Sequence, residues 1–308
     1  MAEFTTYNLN FKSYIYLYYY MRRYLFYTFL FILLACSEDS LADNQDDSTM
    51  ISFGSDQTLD IITWNLEWFP KHQSTISYVS DFILALSPDI IALQEISDQY
   101  SFDFLIESLG EGWVGYRDNT DYQELSYIIN LNQINLLAQP YEILDEYEYY
   151  FAYRPPYVLN IKFNDEIFFI IDIHLKCCDG FEDRRMASAQ YLKNYVDTYH
   201  DDDNIIILGD FNDDLIDPPN ENVFLNFLND SVNYFFTDLY IAEGSSDNWS
   251  FPNWPSHLDH ILVTNEVLDF DIFTNTIKLD NYMIGGWNKY DNYISDHRPV
   301  GINLLPNQ

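Results

Sequence analysis

The feature that most constrains this chain is a set of short apolar runs, each bounded by a polar residue. Ile61-Ile62-Thr63-Trp64 stops at Asn65, and Ile90-Ile91-Ala92-Leu93 stops at Gln94-Glu95. Phe169 to Ile173 ends at His174, and Ile205 to Leu208 passes through Gly209 to Asp210 and Asn212. Asp259 opens Ile261-Leu262-Val263, and Asp296-His297 stand just before Val300. Runs of about four to eight residues rich in β-branched side chains, bounded by turn formers, are buried strands. A residue at a strand end is rigidly mounted and faces a cleft rather than the core. Singly, an Asn or Asp in such a place is a turn former and a His is structural; their recurrence at successive strand ends asks for a shared purpose.

The rest of the chain sets those strands in a mixed architecture. Ser74 caps a predicted helix with Val79, Phe82, Ile83 and Leu86 on one face, closed by Ser87-Pro88. Leu105, Ile106 and Leu109 suggest a short helix before Gly110, and Met186, Ala189, Leu192, Val196 and Tyr199 mark a longer one over 183–199. Further strands are expected at 113–116, 125–130, 134–138, 157–163, 167–175, 258–264 and 300–304. Strands and helices do not strictly alternate, and several gaps are of hairpin length. Packed mixed sheets with helices outside fit this pattern better than one parallel sheet. Neither a GxGxxG nor a Walker loop is present. With 48% hydrophobic residues in 308, a sizeable core is expected.

The formal charge of −35 argues against affinity for phosphate backbones through bulk charge alone. An anionic substrate needs a local basic or metal-bearing patch, which clustered carboxylates can create by holding a divalent cation. The three cysteines lack zinc-ligand spacing, and Cys177 and Cys178 read as free thiols at a strand end.

At the N-terminus, Arg22-Arg23, an apolar run and Cys36 follow Met21 in the order of a secretory signal. Leu33-Leu34-Ala35-Cys36 is similar to a bacterial lipobox, which implies cleavage before Cys36 and lipidation of that residue. Residues 1–36 are then a signal segment with its start at Met21, 37–58 an acidic flexible tether, and 59–308 the globular domain. The alternative is an uncleaved anchor over Tyr14 to Leu34. Either places the domain outside the cytoplasm, attached to a membrane, and a monomer is expected.

"TWNLEW", "IALQEI", "DIHLK", "LGDFND", "LDHILV" and "SDHRPV" resemble, in order, the motifs of the endonuclease/exonuclease/phosphatase superfamily, the fold of DNase I. The resemblance spans Leu59 to about Leu304. It implies a four-layer α/β sandwich of two mixed β-sheets flanked by helices, and Mg²⁺-dependent phosphodiester hydrolysis, with Mn²⁺ as the alternative ion. Glu95, the amide oxygen of Asn65, and Asp296 are the implied metal ligands. Asp210 is placed to orient or activate water, and Asn212 to position the nucleophile or a phosphate oxygen. His297 would pair with Asp259, and His174 with Glu124 in "DYQELSY", one pair as general base and the other as general acid, in an order left open. Arg154 and Tyr122 resemble substrate-binding residues. Ser97 stands where DNase I-like nucleases carry a groove-reaching Arg, which weakens the case for duplex DNA. A nuclease is the leading expectation, and a hydrolase of small or lipid-headgroup phosphoesters the alternative. Trp249 and Trp254 are expected to pack their loop rather than to stack on a base or a sugar. His72, His257 and His260 are expected to be structural or exposed.

Overall fold

The computed structural model describes residues 51–118 and 123–307. Among the described residues, thirteen strands form two sheets. The first has the spatial order β12 (Phe270–Thr276), β13 (Val300–Pro306), β1 (Leu59–Phe69), β2 (Ile90–Ile96), β4 (Glu124–Asn130) and β3 (Trp113–Arg117). The second runs β10 (Tyr234–Phe236), β11 (Asp259–Thr264), β9 (Asn204–Asp210), β8 (Glu166–His174), β7 (Tyr157–Phe163) and β5 (Asn135–Leu136), with β6 (Tyr141–Glu142) also paired to β7.

Each sheet holds one parallel pair, and each parallel pair is joined by a helix. β1 and β2 are connected through α1 (Thr75–Leu86), and β8 and β9 through α3 (Glu182–Tyr199). A helical crossover is the usual way to bring a parallel strand back alongside its partner. The remaining sheet pairs are antiparallel.

The sheets pack face to face because alternate residues of each strand point inward. Leu59 and Ile61, Ile90 and Ala92, Ile206 and Leu208, and Ile261 and Val263 share one buried cluster between them. The opposite face of the second sheet, with Ile171, Ile173, Ile205, Ile207 and Leu262, packs on Ala189, Leu192 and Val196 of α3. Burying one such side chain is worth about 1.5–3 kcal/mol. The two sheets with flanking helices make the four-layer α/β sandwich.

The structure refines several expectations. The predicted 134–138 strand shrinks to Asn135–Leu136. β12 and α6 (Gly286–Tyr293) are not among the expected elements: β12 is an edge strand with alternate residues exposed, and α6 buries only Tyr290. The chain also joins the domain before residue 59. Gly54 N–H donates to Leu86 O, and Asn303 Nδ2 donates to the carbonyl of Phe53. Phe53 and Gly54, expected to lie in the tether, are thus held against the domain. Cys36 and the signal segment lie outside the described residues, as does Tyr122. Among the described residues, no helix is long and apolar enough to cross a membrane.

Candidate active site

Strand register assembles the site. In the second sheet His174 stands opposite Asp210, and Asp210 stands opposite Asp259, so three neighbouring strands carry their polar ends in one row. In the first sheet Asn65 is registered with Gln94, beside Glu95. Packing the sheets brings the two rows together: Asn65 Nδ2 donates to Asp210 Oδ2 at 3.0 Å and to Glu95 Oε1 at 3.4 Å. Beneath this contact Gln94 Nε2 reaches Asp172 Oδ1 across the sheets at 2.7 Å.

The backbone here is unusual where the chemistry is. Glu95 has φ 65°, and Glu67 and Trp68 are also left-handed, each beside a register shift. Such conformations cost of order 1–3 kcal/mol and cluster at functional sites. The glycine of "LGDFND" has φ 140°, and a Cβ there would lie 1.9 Å from the carbonyl oxygen of Ile173. Gly209 thus allows β9 to close against β8 just before Asp210. Asn212, at φ 55°, turns back so that its N–H meets Asp210 Oδ1 at 2.9 Å while its Nδ2 donates to Leu175 O.

His297 is gripped from several sides. Its Nδ1 lies 2.7 Å from Asp259 Oδ2, its N–H donates to Ser295 Oγ, and its carbonyl accepts from Tyr290 Oη. Ser295 Oγ donates in turn to Asn65 O, Trp64 Nε1 donates to Tyr290 Oη, and the ring of Phe251 packs 4.8 Å from the imidazole. Nε2 is left facing the cleft, 3.9 Å from both Asp210 Oδ2 and Asp296 Oδ1. Burial disfavours a charged His297, but Asp259 and Asp210 outweigh it and hold the imidazolium well above the usual range. Burial is also the main reason that Asp210 is pushed up to about 7, with His297 pulling the other way.

His174 departs from its expected partnership. Glu124 engages Arg117 instead, and His174 Nδ1 is buried without a hydrogen-bond partner. Its Nε2 points at Asp210 Oδ2, 3.5 Å, and Glu95 Oε1, 3.8 Å. The reason is positional: β4 begins with Glu124 beside β3, in the first sheet, and Arg117 of β3 claims the carboxylate. Burial, then Arg154 and His297, hold His174 far below the usual pKa, so its ring is neutral. Arg154 is buried against the same residue: Nε and Nη2 donate to His174 O, and Nη1 donates to Gln123 Oε1 at 2.7 Å.

Hard oxygen donors gather on the other side. Glu95 Oε2 accepts from Trp68 N–H, and Glu67 Oε2 accepts from Asp296 N–H. Burial and the neighbouring Asp296 raise the Glu67 carboxyl against the pull of Lys71. Partly exposed carboxylates facing one cleft suit a divalent cation with hard-ligand preference, so the residues present fit the metal that the sequence implies. The amide of Asn65 is oriented differently from expectation: its oxygen accepts from Glu67 N–H, and its nitrogen faces the carboxylates. Asn65 is therefore a clamp on Glu95 and Asp210. Glu67 and Ser295 were not singled out from sequence, although both lie inside quoted motifs, two residues from Asn65 and His297.

All of this opens on a cleft of about 1430 Å³ lined by Glu95, Arg154, His174, Asp210, Asn212, Asp296 and His297. Trp254 lines it as well and is 79% exposed, which corrects the expectation that it packs its loop. It sits at the tip of a hairpin closed by mutual Phe251–Ser256 backbone bonds.

The family model described as "Endonuclease/Exonuclease/phosphatase family" matches residues 62–297. The chain belongs to the endonuclease/exonuclease/phosphatase family. Solved structures share the fold of this endonuclease/exonuclease/phosphatase domain at low identity. TDP2 of D. rerio, complexed with a single-strand DNA product, superposes with TM-score 0.62 at 13% identity, covering 82% of this chain and 99% of that one. The human Nocturnin catalytic domain with bound sulfate gives 0.59 at 17%, covering 87% and 96%. A family protein from Bacteroides thetaiotaomicron gives 0.56 at 16%, covering 82% and 98%. No curated protein matches the chain by sequence.

Behind the catalytic row, on the far face of β11, lies a second group outside the cleft. His260 Nδ1 faces Asp238 Oδ2 at 2.6 Å and its Nε2 faces Asp213 O at 3.0 Å. With an acceptor at each nitrogen, the buried ring is an imidazolium paired with a carboxylate. His257 Nε2 lies 3.0 Å from the same Asp238 oxygen, while its Nδ1 accepts from Ser250 N–H. That acceptor role puts the His257 proton on Nε2, so the trio is an ion-pair network and not a metal cage. His257 and His260 are structural, as expected, and both are fully buried.

Proposed function

We propose that the chain is a divalent-metal-dependent phosphodiester hydrolase whose substrate is nucleic acid. The observation that carries this reading is the convergence of His174, Asp210, Asp259 and His297 with Asn65 and Glu95 through strand register. In the proposed assignment Glu95 and Asp296 hold Mg²⁺ or Mn²⁺. The ion, when bound, neutralises charge that builds on the phosphate oxygens.

The protein side chains carry the remaining work. Asp210, held by Asn65, is placed to orient the attacking water. Asn212 keeps one amide N–H free for a phosphate oxygen, since the other is given to Leu175 O. Neutral His174 presents Nε2–H to the same oxygens. His297, with Nδ1 fixed on Asp259, exchanges a proton at Nε2. The two His–carboxylate pairs that the DNase I resemblance implies thus reduce to one here, and His174 becomes a hydrogen-bond donor.

The nucleic-acid substrate is supported by the motif set and by the structural likeness to TDP2, whose structure holds a DNA product. The test is hydrolysis of plasmid DNA and bis-p-nitrophenyl phosphate with Mg²⁺, Mn²⁺ or EDTA. Metal-dependent nicking supports a nuclease. Diester turnover with intact plasmid and intact oligonucleotides moves the substrate to small or lipid-headgroup phosphoesters. We also propose an extracytoplasmic lipoprotein anchored at Cys36; mass spectrometry finding an unmodified, uncleaved Cys36 in the native host would refute it.

A further inference from the structure

The cleft sets unpaired cations beside exposed aromatic rings, and that pairing points to a substrate form. The chain has only 14 Lys and Arg against 49 Asp and Glu. Most described cations are spent on carboxylates: Arg117 on Glu124, Arg185 on Asp213, Lys193 on Asp197 and Asp230, Arg298 on Asp280. Arg154, Lys176 and Arg184 have no carboxylate within 4.0 Å among the described residues, and all three line the catalytic cleft.

These cations alternate with aromatic rings. Lys176 Nζ sits 4.9 Å from the Phe181 ring centroid, and the Arg184 guanidinium lies 4.2 Å over Tyr149 and 5.8 Å from Phe181. Tyr149, Tyr153 and Phe181 are exposed. Ala152 and Tyr153 are both left-handed, at φ 56° and 65°, a backbone turn between exposed Tyr153 and buried Arg154. Asp179, Glu182 and Asp183 stand among these cations; Arg185 holds Glu182 and Asp213, and beyond that pair Asp214, Asp217 and Glu221 make an acidic stretch of the cleft. Cations that follow a backbone and aromatic faces on which bases stack are how proteins hold a single strand. A duplex brings a second phosphate backbone, and the acidic stretch repels it.

Resting on the nucleic-acid reading above, we propose that the enzyme acts on single-stranded nucleic acid, with one strand running from the catalytic row along Lys176, Phe181, Arg184 and Tyr149. Lys176 contacts a phosphate next to the scissile one, and the exposed rings take the flanking bases.

The test uses the full-length protein with Mg²⁺ and a short labelled oligonucleotide, alone or annealed to its complement, beside bis-p-nitrophenyl phosphate. The single strand is expected to be cut at least about tenfold faster than the duplex. Lys176→Gln and Arg184→Gln are expected to raise KM for the single strand with kcat held. Each is also expected to flatten the dependence of log kcat/KM on log salt by about 0.7 per lost phosphate contact. Equal or faster cutting of the duplex overturns the proposal and leaves the nuclease reading intact. So does an unchanged KM and salt slope in both variants. Turnover of the small diester with neither oligonucleotide form cut overturns the nuclease reading itself, and this inference with it.

Discussion

Asp259→Ala isolates what the His297–Asp259 pair contributes. The contact is 2.7 Å long, and Asp259 is fully buried, so the interaction is little screened by solvent. Removing one partner of a buried charged pair costs about 3–5 kcal/mol. At 1.36 kcal/mol per tenfold, a cost borne wholly in the transition state lowers kcat by about 10²–10⁴. Fold stability should move far less. Asp259 Oδ1 is buried without a partner, a standing cost of about 1–3 kcal/mol that the substitution relieves while it orphans His297. The strand stays in place, since Asp259 N–H is held by Ser250 Oγ and the register with Asp210 is made by backbone. Steady-state turnover of bis-p-nitrophenyl phosphate, with a thermal melt on the same sample, reads both quantities. Asp259→Asn, which keeps a hydrogen-bond acceptor without the charge, should fall between wild type and Asp259→Ala. A well-folded Asp259→Ala enzyme with kcat within about threefold of wild type would refute the assignment of His297 as the proton-exchanging group.

Other outcomes follow from named contacts. Glu95→Gln should abolish the rise in melting temperature that Mg²⁺ gives the wild-type protein, a linkage effect of about 2.7 kcal/mol at a hundredfold excess over Kd; an unchanged rise means that the ion sits elsewhere. Asp238→Asn leaves the buried His260 cation without its counter-charge and should destabilise by about 3–5 kcal/mol in urea unfolding. Burial opposes the His260 charge, yet Asp238 raises its pKa, while the histidines outweigh burial to lower that of Asp238. The pair's stabilisation is therefore whole between about pH 4 and pH 6.5, lost above as His260 deprotonates and lost below as Asp238 protonates, and a flat stability profile in that comparison contradicts it. Asp89 is pushed up to about 7 by burial, against the pull of the hydrogen bond it accepts from Asp60 N–H. Its ionisation destabilises the fold as pH rises from about 4 to 7, so Asp89→Asn should gain up to about 4 kcal/mol at pH 8 and nothing near pH 4. Gly209→Ala should prevent folding or cost several kcal/mol, about the most that a single substitution does, because its Cβ meets the Ile173 carbonyl.

Much of this site is visible in the primary structure because strand ends announce themselves. The runs before Asn65, Glu95, His174 and Asp210 are apolar on both faces, as strands buried between a second sheet and a helix must be. What pairs with what is less visible. Glu124 looks like a partner for His174 until strand order puts Arg117 beside it, and strand order depends on contacts far apart in the chain. The orientation of the Asn65 amide depends on a left-handed turn at Glu67, a backbone choice that residue type did not signal. Trp254 gives no sign of its exposure, since tryptophan in a loop reads as packing until the hairpin around it is known. The Asp238–His260 pair escapes for the same reason as Glu124: the two residues lie on separate elements joined only by the fold.

The row formed by His174, Asp210 and Asp259 also governs how activity can be lost. A slip of one residue between β8 and β9, or between β9 and β11, turns the side chain to the opposite face of the sheet. Either slip takes one outer group out of the row, so the three stand together only when both strand pairs are in register. Catalysis is thereby an all-or-none reporter of sheet assembly: during refolding, turnover should return in step with the last-formed strand pair of that row and not in proportion to secondary structure regained.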